Sequence, residues 1–120
     1  MTLNQIHVIL ATATLIFSLI IGGWSLVQAL RRQGIDGNTC GILASGEILY
    51  LAQGVVGILQ LLGGARPERG IHILYGVVTA LTLPAAYALS RGRDDNRAAW
   101  TYALLGLFLF GIALRARGTG

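Results

Sequence analysis

The chain has 120 residues, 54% hydrophobic and 12% charged, with a net charge of +4 that comes from nine arginines and no lysine. A domain this small has too much surface to hide that much apolar material from water, so the composition calls for lipid as solvent. The arginines are scattered without a dense basic cluster, which excludes a nucleic-acid binder, and the single cysteine, Cys40, excludes an internal disulfide or a thiolate metal site.

A transmembrane helix needs about 20 mostly apolar residues. Residues 6–30 meet this without a charge. No basic segment precedes them and their apolar part is too long for a signal peptide, so they are expected to stay as a span. "RRQGIDGNTC" (31–40) is polar and Gly-rich and breaks the run. Residues 41–64 form a second run with one charge, Glu47, ended by "GGARPERG" (63–70). Residues 71–90 form an uncharged third run, "RGRDDNRA" (91–98) follows, and 98–114 make a shorter fourth. Backbone polar groups cannot stay open in lipid, so each run is predicted to be a helix. The short connections make sequential helices antiparallel. The expected fold is all-α: one polytopic membrane domain over 1–120, an up-down bundle of four transmembrane helices at about 6–30, 41–64, 71–90 and 98–114.

Orientation follows from the arginines. Arg66, Arg69, Arg115 and Arg117 share one side with the N-terminus; Arg31, Arg32, Arg91, Arg93 and Arg97 lie on the other. No basic residue precedes the first run, while Arg31 and Arg32 follow it, so the positive-inside rule places both termini outside. Asp36, Asp94 and Asp95 contribute little to that rule. Trp24, Trp100 and Tyr102 are expected in an aromatic belt at the cytoplasmic interface. The expected location is a bacterial inner membrane.

Membrane helices pack through small and polar residues. Such stripes run through His7, Ala11, Thr14, Ser18 and Gly22 in the first run and Gly46, Gln53, Gly57, Gln60 and Gly64 in the second. The third carries His72, Gly76, Thr79, Thr82, Ala86 and Ser90, and the fourth Ala103, Gly106, Phe110 and Ala113. The only two histidines head the stripes of two parallel helices, so they are predicted to face protein at similar depth on one side of the membrane.

Three chemistries are open. His7 and His72 suit the axial positions of a b-type haem, with Ala11 and Gly76 leaving room for the macrocycle and Arg66 and Arg69 near its propionates. The plainer expectation is that each histidine bonds a loop, Gln60 or water. Glu47, ionisable and within a span, suits a proton-coupled exporter or a helix-packing carboxyl. The chain is similar in size to the small multidrug-resistance exporters, but those carry their essential Glu in the first helix, and this first run has no acid. Pro84 with Tyr87 suits a kink that opens a lipid or quinone crevice, or a tolerated kink repaired by Thr82. Two histidines without a cysteine or acidic cluster leave no other metal site in view, and no nucleophile–base pair or phosphate loop is present. No catalytic residue is expected.

The stretches "IHILYGVVTALTLPAAYALSRGRDDNRAA" and "LFLFGIALRA" resemble small four-helix membrane proteins of filamentous green phototrophic bacteria and their relatives. The resemblance rests on His72, Tyr75, Gly76, Pro84, Tyr87 and the 91–97 loop, mostly in the second half of the chain. It implies a membrane rich in electron-transfer assemblies, such as alternative complex III and reaction-centre complexes, with this chain as an accessory subunit. The leading expectation is therefore a non-catalytic subunit whose partners are other membrane subunits and lipid, with a quinone as a further candidate and haem b as the cofactor of the alternative reading.

Overall fold

A computed structural model describes residues 2–64 and 70–117. Its four helices are α1 (Leu3–Leu30), α2 (Gly37–Leu62), α3 (Ile71–Leu89) and α4 (Asn96–Arg117). Over Leu3–Leu30, Gly37–Leu62, Ile71–Leu89 and Asn96–Ala116 they are long and apolar enough to cross a membrane. The chain is thus an all-helical, four-span bundle, 48 × 23 × 22 Å in extent. Each helix packs on its neighbours in sequence and α4 closes the ring against α1.

Helices α1, α2 and α4 start before their expected first residues because polar residues cap them, whereas α2 and α3 stop at Leu62 and Leu89, just short of the expected 64 and 90. Thr2 and Gln5 form a reciprocal capping box that starts α1 at Leu3. Asp36 caps α2 by accepting from the Thr39 backbone N–H and hydroxyl, both at 2.8 Å. Asp95 accepts from Ala98 N–H at 3.0 Å and starts α4 at Asn96. Helices α1 and α3 end alike. Gln33 N–H reaches back to Gln28 C=O and Gly92 N–H to Tyr87 C=O, with Arg32 (φ 59) and Arg91 (φ 56) in the left-handed conformation between. This Schellman geometry usually takes glycine.

The α1–α4 seam is the tightest. A Cβ on Gly106 would strike the backbone of Gly22, and one on Gly22 would lie 2.9 Å from Leu107 N. Asn96 ties the seam's end by donating to Ala29 and Gln33 carbonyls. Gly34 sits so close to the Asp94 carbonyl that no side chain fits there, and Ile35 N–H donates to that carbonyl at 2.8 Å. Across α1–α2, Gly46 receives Ile21 and Phe17, and Ser18 shares a 2.6 Å hydrogen bond with Tyr50 in the core. The α3 helix is different: Leu83 alone is buried along it.

The packing stripes hold on α1 and α4, with Leu109 the buried side chain beside Phe110. On α3, Gly76 is exposed with open space around it, and Tyr75 takes the inward side. Pro84 is exposed and α3 runs continuously through it. The Thr82 hydroxyl bonds Val78 C=O, so it does not repair the carbonyl that Pro84 frees. Trp24 and Trp100 are part-exposed as a belt requires, whereas Tyr102 lies in the core. Arg66 and Arg69 lie outside the described residues, as does the Arg117 side chain.

The cap of α2 carries a network. Trp24 Nε1–H donates to Thr39 Oγ1 at 2.8 Å, and Gln28 Nε2–H donates to the second Asp36 oxygen at 3.2 Å. The bonds from Thr39 hold the Asp36 carboxyl below the usual aspartate range. A carboxyl depressed below its unfolded value of about 3.9 adds stability that is present above that pH and lost as pH falls through the folded value. Thermal unfolding in detergent should therefore show a midpoint that drops below about pH 4. Asp36→Asn, which still caps, should lose the part of that drop owed to Asp36.

Candidate functional site

The α1–α2–α3 end of the bundle brings both histidines together. The His7 and His72 rings lie 6.0 Å apart, centroid to centroid, inclined at 67°. Helical periodicity predicts that both face protein at similar depth on one side of the membrane; the packing of α1 and α3 on α2 brings the rings together. Each histidine sits in the first turns of its helix, and α1 and α3 run the same way from the same membrane side.

Each ring is positioned by another helix. His72 Nδ1 lies 3.1 Å from Ala116 C=O near the end of α4. A carbonyl only accepts, so Nδ1 carries the hydrogen, and in the neutral ring Nε2 keeps the lone pair. On the other side, Gln53 Nε2–H donates to the His7 backbone carbonyl at 3.0 Å, and a Cβ on Gly57 would lie 3.7 Å from His7 Cε1. Against the expectation of Gln60, the α4 backbone serves the His72 ring, while Gln53 holds the His7 backbone rather than its ring. His7 Nδ1 and Gln53 Oε1 are both buried without a hydrogen-bond partner among the described residues. Buried polar atoms are almost always paired, and the same lack of a partner recurs elsewhere in the bundle at Thr14, Ser25 and Glu47, so it does not mark this end alone.

Two imidazoles that share one metal atom, each bonded at about 2.0 Å, hold their ring centroids about 5–6.5 Å apart. The 6.0 Å spacing falls in that range. A macrocycle around the metal would have the bare Gly57 backbone on the α2 side. It would gain nothing from Gly76, which faces outward. No group of three or more His, Cys, Asp or Glu side chains able to hold a metal ion occurs among the described residues.

Glu47 belongs to a different level of the bundle. It is ten residues from Gly57, about 15 Å along the α2 axis from the His7 ring. Because α2 begins at Gly37, Glu47 lies near the middle of its span. Both carboxyl oxygens are buried and have no hydrogen-bond partner among the described residues, nor has the Thr14 hydroxyl on α1. The candidate residues therefore do not form one site: the histidines meet at one end, and Glu47 stands alone inside.

Sequence reasoning missed the roles of Gln53 and Ala116 at the histidine pair. Gln53 was legible only as a member of the α2 stripe. A backbone carbonyl such as that of Ala116 carries no sequence signal. Compared with known proteins, the chain matches no family model, and no curated protein or solved structure is significantly similar to it.

Proposed function

We propose that the chain is a non-catalytic subunit that packs sideways, within the bacterial inner membrane, against a larger electron-transfer complex, with both termini outside. The observation that carries this reading is the uneven packing of the bundle. The α1–α4 seam is closed by glycines, whereas α3 buries only Leu83 against its own chain and leaves Leu74, Val77 and Leu81 uncovered. Lipid can cover such a flank, and so can another helix packing on it. The electron-transfer context rests on the resemblance of the second half of the chain to proteins of phototrophic membranes.

A second reading, a haem b electron carrier, is favoured by the 6.0 Å spacing of His7 and His72. The His72 ring is fixed by Ala116 C=O from α4, and His7 would close the other side. A bound haem would supply one-electron transfer.

One purification tests both readings. The protein extracted in mild detergent should run within a larger assembly, and photo-crosslinkers at Val77 or Leu81 should capture a partner subunit. A monomer that never co-purifies with other subunits overturns the subunit reading. Soret and alpha bands on reduction, lost in His7→Ala and His72→Ala, would establish the haem reading. Their absence eliminates it.

A further inference from the structure

At the opposite end of the bundle from the histidines, α3 and α4 diverge around a cavity of about 80 Å³. It is lined by Ser90, Arg93, Arg97, Thr101 and Tyr102 over two alanines. Because α3 ends and α4 begins here, the cavity lies at the edge of two spans, at headgroup depth.

The charges around it are unevenly matched. Arg93 Nε lies 3.8 Å from Asp95, with both side chains about half exposed, and this is the only ion pair among the described residues. Asp95 is already engaged as the cap of α4. Arg97 stands in the first turn of α4, the positive end of the helix dipole, where a cation is disfavoured unless an anion joins it. Asp94 and Asp95 share the turn, but neither lines the cavity.

The donors available to a ligand are specific. The Ser90 hydroxyl donates to Tyr87 C=O and the Thr101 hydroxyl to Arg97 C=O, so neither is free to donate. The Tyr102 hydroxyl is engaged with the Ser90 side chain. Two guanidinium forks remain, the groups best matched to the paired oxygens of a phosphate. Below the cavity, α4 continues into the bilayer with exposed Leu104 and Phe108, which acyl chains can cover.

We infer that this α3–α4 crevice is a binding site for the phosphate of an anionic phospholipid, held between Arg93 and Arg97. Basic pockets between spans at the membrane surface are suited to such headgroups. The site is independent of the histidine pair and of any partner complex.

Native mass spectrometry of the full chain, titrated with phosphatidylglycerol or phosphatidylcholine, tests it. The wild type should retain phosphatidylglycerol preferentially. Arg93→Gln with Arg97→Gln should weaken that binding about twenty-five-fold, from roughly fivefold per arginine near an anionic surface. Arg31→Gln with Arg32→Gln, at the same membrane end but outside the crevice, should leave it unchanged. Equal retention of both lipids overturns the inference, as does an unchanged affinity in the crevice variant. An equal loss in the Arg31 and Arg32 variant overturns it too, because the attraction would then be that of the whole surface. Inorganic phosphate that binds as tightly as the lipid overturns the lipid assignment.

Discussion

Gly106→Ala should destabilise the protein more than any other single methyl added to a helix. The new Cβ would lie 2.6 Å from Gly22 Cα and 3.0 Å from the Ile21 carbonyl carbon, and both are backbone atoms that cannot rotate away. Overpacking a closed interface costs about 1–3 kcal/mol, and a backbone clash belongs at the upper end. The α1–α4 seam would have to open along its length. Gly111→Ala, in the same helix with nothing within 4 Å of its added Cβ, is the control and should be neutral or slightly stabilising. Unfolding in detergent, followed by circular dichroism, measures both. Equal midpoints for the two variants would show that the seam is not closed by Gly22 and Gly106.

Glu47→Met should stabilise the isolated protein. Both carboxyl oxygens are buried without a hydrogen-bond partner among the described residues, near the middle of a span. Such a group carries a desolvation cost of about 1–3 kcal/mol, and an apolar side chain of similar length removes it. Glu47→Gln keeps the shape and the polarity, so it should gain much less. The sign of the change separates two roles. A gain in stability with normal assembly means that the bundle merely tolerates Glu47. A gain accompanied by loss of the larger assembly means that the buried carboxyl serves the protein's function rather than its fold. A loss of stability in the isolated protein would show that Glu47 makes a bond inside this chain.

Where sequence and structure diverge, the cause is local chemistry with a tertiary consequence. The second helix begins at Gly37, four residues before its apolar run, because Asp36 and Thr39 cap it and Trp24 and Gln28 brace the cap. Counted from Gly37, Glu47 lies near the middle of α2. Arg32 and Arg91 occupy left-handed turns that normally announce themselves as glycines, so those helix ends carry no glycine signal. Gly76 sits in a plausible small-residue stripe, yet α3 is rotated so that Tyr75 takes the inward side.

By itself the sequence determined the solvent, the number of spans, their antiparallel order and the inward stripes of α1 and α4. These depend on run length and on 3.6-residue periodicity, which are properties of single helices in lipid. It also predicted that His7 and His72 share a side and a depth. Only the tertiary structure decided that their rings come within 6.0 Å, that Ala116 C=O fixes one ring, and that Gln53 rather than Gln60 anchors the other helix. It alone decided that α1 closes on α4 while α3 stands apart, leaving a crevice under Arg93 and Arg97. Those facts depend on how far each helix turns and slides against its neighbours. In a bundle whose faces all carry small residues, periodicity leaves that choice to backbone contacts such as Gly22 against Gly106.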